Sequence, residues 1–102
     1  DMGTASYVMA GPSSGTNRAF GSSCHGAGRA MSRTEARQKI DGAKVKRELA
    51  DKGVAIYETN EKYLSEEAPD AYKNVDDVIR LTEKAGLARP VARLKPVIVI
   101  KG

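Results

Sequence analysis

Residues 22–35 read Ser22-Ser23-Cys24-His25-Gly26-Ala27-Gly28-Arg29-Ala30-Met31-Ser32-Arg33-Thr34-Glu35, a run of small residues that passes directly into a helix-start signal. Glycine and serine let the backbone come close to a ligand, and they place His25 in a loop. Ser32 followed by Glu35 has capping-box spacing, so a helix begins there and runs to about Ile40, with Asp41 and Gly42 as the break.

Working upstream, residues 1–28 hold six of the ten glycines and no acid after Asp1. Residues 5–10 are apolar enough for a strand, and residues 11–17 form a turn-rich connection. Working downstream, a second helix spans residues 43–52, with Val45 and Leu49 on one face and Gly53 as its left-handed stop. Residues 54–58 read as a short strand. Residues 60–73 are polar and broken by Pro69, which predicts irregular structure with a turn of helix after Ser65. Val75, Val78, Ile79 and Thr82 recur at helical spacing and Gly86 closes the segment, so residues 75–85 form a helix. The aliphatic, β-branched run at 97–100 behind Pro96 predicts a buried strand. Short strands mixed irregularly with about three helices define an α+β fold rather than a regular βαβ alternation.

With 102 residues, the chain can form one small domain with little core to spare. Asp1 in place of an initiator Met, followed at once by Gly-rich sequence, suggests that the natural chain extends upstream and that this is part of a longer protein. Hydrophobic residues at 40% and charged residues at 29% make a globular balance, not a disordered one. No apolar run approaches the roughly 20 residues needed to span a bilayer, so no membrane role is expected. The single Cys24 excludes an internal disulfide framework and fits a reducing, cytoplasmic setting. The net charge of +4 is unevenly spread: basic ends bracket an acidic middle over residues 54–86. That split suits one face meeting phosphate and another meeting water, although such a charge is common among proteins that bind no nucleic acid.

His25 is the sole histidine. An imidazole can act as a nucleophile toward phosphorus, and the glycines after it leave backbone N–H groups free for phosphate oxygens or ribose. Arg29 and Arg33 add positive charge. A loop histidine with a structural role, or none, is the competing reading. Cys24 and His25 make a poor metal site, because neighbours in an extended loop point apart and structural zinc takes four ligands. They make an equally poor nucleophile and base pair, so Cys24 reads as a small buried residue. Lys101 is either solvated or delivered by its strand to donate to a carbonyl or phosphate oxygen. Tyr72 and Ser6 are ordinary surface and turn residues by their local context.

Several blocks, in order, resemble the C-terminal end of the RtcB family of RNA-splicing ligases. They are Met2-Gly3-Thr4-Ala5-Ser6-Tyr7; Cys24-His25-Gly26-Ala27-Gly28-Arg29 with Met31-Ser32-Arg33; Glu67-Ala68-Pro69-Asp70-Ala71-Tyr72 with Val75-Asp76; and Ala92-Arg93-Leu94-Lys95-Pro96 through Ile100-Lys101-Gly102. A lone His-Gly-x-Gly would be weak, but ordered blocks over the whole length make the likeness specific. The resemblance implies the C-terminal portion of a larger single-domain fold and a ligase that joins RNA 3′-phosphate or 2′,3′-cyclic phosphate ends to 5′-hydroxyl ends. His25 would attack the α-phosphorus of GTP and carry GMP. Gly26, Ala27 and Gly28 would contact the nucleotide around the adduct, Ser6 and Lys101 would bind guanylate, Tyr72 would wall the guanine pocket, and Met2 falls in a guanylate-contact stretch by position. The Lys101 ammonium can donate to the guanine carbonyl at position 6, where adenine carries an amino group. Manganese is implied as the metal, with ligands upstream, so no metal ligand is assigned in this chain. The implied partners are tRNA halves or broken RNA, the remainder of the ligase chain and an archease-type helper, with the protein acting as a monomer. Asp1 stands where the family often has Ser, and an acid there is unfavourable beside phosphate unless it points away or meets a cation. A non-catalytic module that cradles phosphate or RNA, or a structural scaffold, is the alternative.

Overall fold

A computed structural model describes residues 1–13 and 18–102, so the turn expected over 11–17 lies partly outside the described residues. The elements run in the order β1 (Ser6–Ala10), α1 (Arg33–Lys39), α2 (Gly42–Asp51), β2 (Ala55–Glu58), α3 (Lys62–Glu66), a 3-10 turn (Pro69–Ala71), α4 (Val75–Lys84), β3 (Arg89–Leu94) and β4 (Ile98–Lys101). The fold is α+β, with two two-stranded sheets among the described residues.

Local chemistry explains the helix ends. Ser32 caps α1, its Oγ accepting from the Glu35 N–H at 3.1 Å. The reciprocal half of the capping box is not made, because the Glu35 carboxylate pairs with Lys39 one turn on at 2.6 Å. Asp41 caps α2 and Asn74 caps α4, each through a side-chain oxygen on two backbone N–H groups. Gly53 and Gly86, at φ +80° and +72°, close α2 and α4 in the left-handed region that favours glycine.

The core lies where α2, α3 and the chain around Met2 meet. Met2, Val45, Leu49, Val54, Leu64 and Ala68 form it, with Ile40, Ile56 and Val99 packed against its margin. Strand β1 pairs antiparallel with β3, and a bulge falls between Val8, opposite Ala92, and Met9, opposite Pro90. Proline has no N–H to give a ladder, so Pro90 sits where the register slips. Strand β2 pairs in parallel with β4, setting Glu58 opposite Lys101.

Three expectations are corrected. The turn of helix expected after Ser65 is the 3-10 turn Pro69–Ala71, while α3 over Lys62–Glu66 falls in a stretch expected to be irregular and makes four α-helices among the described residues rather than about three. Its five residues are too few to show apolar periodicity. Strand β3 was not anticipated, because its basic, proline-containing sequence carries no strand alternation and it forms only by pairing with β1. The run at 97–100 is a strand in part, yet it is not buried: Val97, Ile98 and Ile100 are 69%, 59% and 77% exposed. Pairing with β2 turns Val99 and Lys101 inward and leaves the alternate face uncovered by the described residues. The radius of gyration is 15.4 Å, above the about 13 Å of a compact domain of this size, as expected when strand faces stand open.

Candidate functional site

The loop that carries His25 is tied down on both sides. Before it, Cys24 Sγ lies 3.3 Å from Thr82 Oγ1 on α4, and Thr82 Oγ1 donates in turn to the Val78 carbonyl at 2.8 Å. Cys24 is therefore an exposed residue with a polar contact, not the buried filler expected of it. The expectation failed because the sulfur faces one hydroxyl on a helix margin instead of entering the core. After His25, the Ala30 N–H donates to the Ala71 carbonyl at 2.9 Å and the Lys73 N–H donates to the Gly28 carbonyl at 3.0 Å, laying the loop alongside Tyr72. Between these tethers His25 is exposed, and its ring has no hydrogen-bond or ion-pair partner among the described residues.

Two adjoining clefts meet at Asp1 and Ser6. The first, of about 210 Å³, is lined by His25, Gly26 and Ala27 on one side, Ser6, Tyr7 and Met9 on another, and Val75, Val78 and Ile79 of α4. The second, of about 400 Å³, is lined by Met2, Ser6, Glu67, Tyr72 and Lys101, with Pro96 and β4. Of the residues expected to hold nucleotide, Ser6 thus belongs to both clefts, His25, Gly26 and Ala27 to the first, and Met2, Tyr72 and Lys101 to the second. Gly28 lines neither. It has φ +78° and contributes its carbonyl to the Lys73 tether. Met2 is only 3% exposed, so it acts as floor and core together.

Beside His25 the loop is open: a Cβ built at Gly26 meets no atom within 4 Å among the described residues, and its φ lies outside the range that favours glycine, so there is room for a ligand there.

The base of the second cleft is a charge network that the sequence did not disclose. Glu67 Oε1 lies 3.5 Å from Arg29 and 3.7 Å from Arg33, while Oε2 accepts from the Tyr72 hydroxyl and lies 3.9 Å from Lys101 Nζ. Arg29 also donates to the Met31 carbonyl at 2.9 Å, to the Tyr72 hydroxyl at 3.0 Å and to the Glu66 carbonyl, with its guanidinium 4.8 Å from the Tyr72 ring centroid. The neighbouring Glu66 is buried and is held by Arg37 at 2.6 Å and Arg33 at 3.8 Å. Burial, and after it the hydrogen bond to Glu67, pushes the Tyr72 hydroxyl pKa up, so the ring stays neutral. Glu67 is the residue missed as a site member. Its only signal was membership of the block 67–72, because apart from Tyr72 its partners Arg29, Arg33 and Lys101 lie far away in the chain.

Asp1 lines both clefts. Its Oδ1 accepts from the Gly3 and Thr4 N–H groups at 2.8 and 2.9 Å, closing a small turn. On the far side of the first cleft, Arg93 grips Asp76 through two hydrogen bonds of 3.0 and 3.2 Å, and the Tyr7 hydroxyl donates to the same carboxylate, joining β3, α4 and β1. The Arg93 and Tyr7 hydrogen bonds hold the Asp76 carboxyl below the usual carboxylate range. Among the described residues no three His, Cys, Asp or Glu side chains converge as a metal site requires. No described helix is long and apolar enough to cross a membrane.

The exposed His25 on the rim of one cleft, and Tyr72 with Lys101 in the cleft that adjoins it, make up the candidate site. Residues 1–102 match the family model described as tRNA-splicing ligase RtcB, and the chain belongs to that family. It is 46% identical over 101 residues to the tRNA-splicing ligase RtcB of Pyrococcus abyssi, covering 99% of this chain and 11% of that protein. The proteins of the same name from Pyrococcus horikoshii and Methanopyrus kandleri are 45% and 46% identical, over 99% and 100% of this chain and 12% and 10% of theirs. The chain spans about a tenth of the length of these relatives.

Proposed function

We propose that this chain supplies the nucleophile and one wall of the guanylate pocket of a GTP-dependent RNA ligase. His25 carries the reading: its imidazole is exposed, unpartnered and held between two tethers on the rim of a cleft, next to a glycine whose missing side chain serves no neighbour. In the first step His25 attacks the α-phosphorus of GTP, a phosphorus–nitrogen bond forms and pyrophosphate leaves. GMP then passes from His25 to an RNA 3′-phosphate, and an RNA 5′-hydroxyl displaces GMP to close a 3′,5′ phosphodiester. Cyclic 2′,3′-phosphate ends are first opened to the 3′-phosphate.

Ser6, Gly26 and Ala27 serve the phosphate and ribose end, with Gly28 holding their loop through its bond to Lys73, and Met2, Tyr72 and Lys101 serve the base end. The Lys101 ammonium donates to the guanine carbonyl at position 6, which adenine lacks, so it favours GTP over ATP. Manganese would neutralise charge on the transferring phosphorus, but the described residues do not fit a manganese site, and its ligands are assigned to the rest of the ligase chain. The substrates are tRNA halves or broken RNA, and the whole protein is a cytoplasmic monomer served by an archease-type helper.

The test is mass spectrometry of the full-length protein after incubation with GTP and manganese. An acid-labile GMP increment that disappears in His25→Ala is expected. An adduct that survives the substitution removes His25 as nucleophile, and no adduct in the parent protein favours a module that only binds phosphate or RNA.

A further inference from the structure

Glu67 joins two of the polar side chains that line the second cleft, Tyr72 and Lys101. Its Oε2 serves both Tyr72, as acceptor of the hydroxyl, and Lys101, whose Nζ lies 3.9 Å away. Its Oε1 is steadied by Arg29 and Arg33, which stand four and eight residues beyond His25 in the sequence. At 3.9 Å the Lys101 ammonium is attracted to the carboxylate but outside hydrogen-bond range, and no described hydrogen bond occupies it. Its three N–H donors remain available. The side chains of Lys101 and Glu67 are 34% and 20% exposed, so the pair is partly withdrawn from water and screened less than a surface pair.

From this geometry we infer that Glu67 is a positioning residue for nucleobase selection, holding the Lys101 ammonium and the Tyr72 ring in place relative to the His25 loop without contacting the base itself. The inference rests on the guanylate-pocket reading. The carboxylate charge aims Lys101 at an acceptor on the base, and the Tyr72 hydrogen bond fixes the ring that walls the same cleft. Through Arg29 the same carboxylate reaches the segment that carries the nucleophile. A neutral amide in its place can still accept from Tyr72 but cannot hold an ammonium by charge.

The experiment measures kcat/KM for nucleotidylation of His25 in the full-length protein with GTP, ITP and ATP, in the parent, Glu67→Asp, Glu67→Gln and Lys101→Ala, each with a thermal midpoint. ITP keeps the carbonyl at position 6 and lacks the 2-amino group. In Glu67→Gln the preference for GTP over ATP should fall about ten-fold, the loss of one well-placed polar contact. GTP and ITP should fall together. Glu67→Asp keeps the charge and should lie between parent and Gln, an ordering that a general loss of folding would not produce; it carries the test alone if the Gln variant does not fold. If Lys101→Ala changes the preference while a folded Glu67 variant leaves it unchanged, Glu67 has no positioning role and the pocket reading stands. If GTP falls while ITP does not, Glu67 binds the 2-amino edge directly and the positioning role is overturned. If Lys101→Ala also leaves the preference unchanged, the pocket reading itself fails, and this inference with it.

Discussion

The two clefts differ in how their polar groups are committed. At the first cleft, His25 has no hydrogen-bond or ion-pair partner among the described residues and a Cβ at Gly26 would meet open space. At the second, Glu67 binds Tyr72, Arg29, Arg33 and Lys101, and Arg29 binds both Tyr72 and backbone. The contrast suits the chemistry proposed for each end. A nucleophile that gains and loses a bond to phosphorus is hindered by standing partners, whereas discrimination between two purines needs donors fixed before the base arrives. One end is left uncommitted, and the other is braced.

Gly26→Val tests the uncommitted end and should have the largest effect. Guanylylation in the full-length protein should slow about 100-fold through displacement of the reacting groups, with the thermal midpoint within about 2 °C of the parent. A large drop in midpoint instead would mean that packing, not ligand approach, explains the glycine. Lys101→Ala sharpens the braced end: preference for GTP over ATP should fall about ten-fold, with stability changed by less than about 1 kcal/mol because the ion pair is partly exposed. The smallest effect concerns the Arg93–Asp76–Tyr7 brace behind the first cleft. The folded carboxyl of Asp76 titrates below its unfolded value, so its stabilising contribution is complete above the unfolded pKa and lost as pH falls through the folded one. Urea midpoints taken from about pH 6 to about pH 3 should therefore drop more steeply for the parent than for Asp76→Asn, with the difference confined below about pH 4. Parallel curves would show that the contact adds nothing to folding.

What could be read from the residues was what local chemistry decides. Ser32, Gly53 and Gly86 mark helix ends by bonds or dihedral angles made within a few residues, and His25 fell in a loop because its neighbours are small. Strand β3 was illegible because it exists only through β1, and Glu67 because Lys101, Tyr72, Arg29 and Arg33 come together only in three dimensions. The run at 97–100 was misjudged on burial for a related reason. Aliphatic composition asks for cover, but whether cover is present depends on which other elements share the sheet. Of the site, the block resemblance supplied the residue names and the structure supplied their division between two clefts.

The parallel pairing of Ala55–Glu58 with Ile98–Lys101 bears on the order of folding events. Bringing those strands together closes a long intervening loop, an entropic toll that local helices do not face, so this contact should form late. The lysine proposed to discriminate between purines rides on that closure. On that reading, recognition of guanine would emerge after the local helices have formed, and a chain caught partway could present its histidine before it could choose its nucleotide.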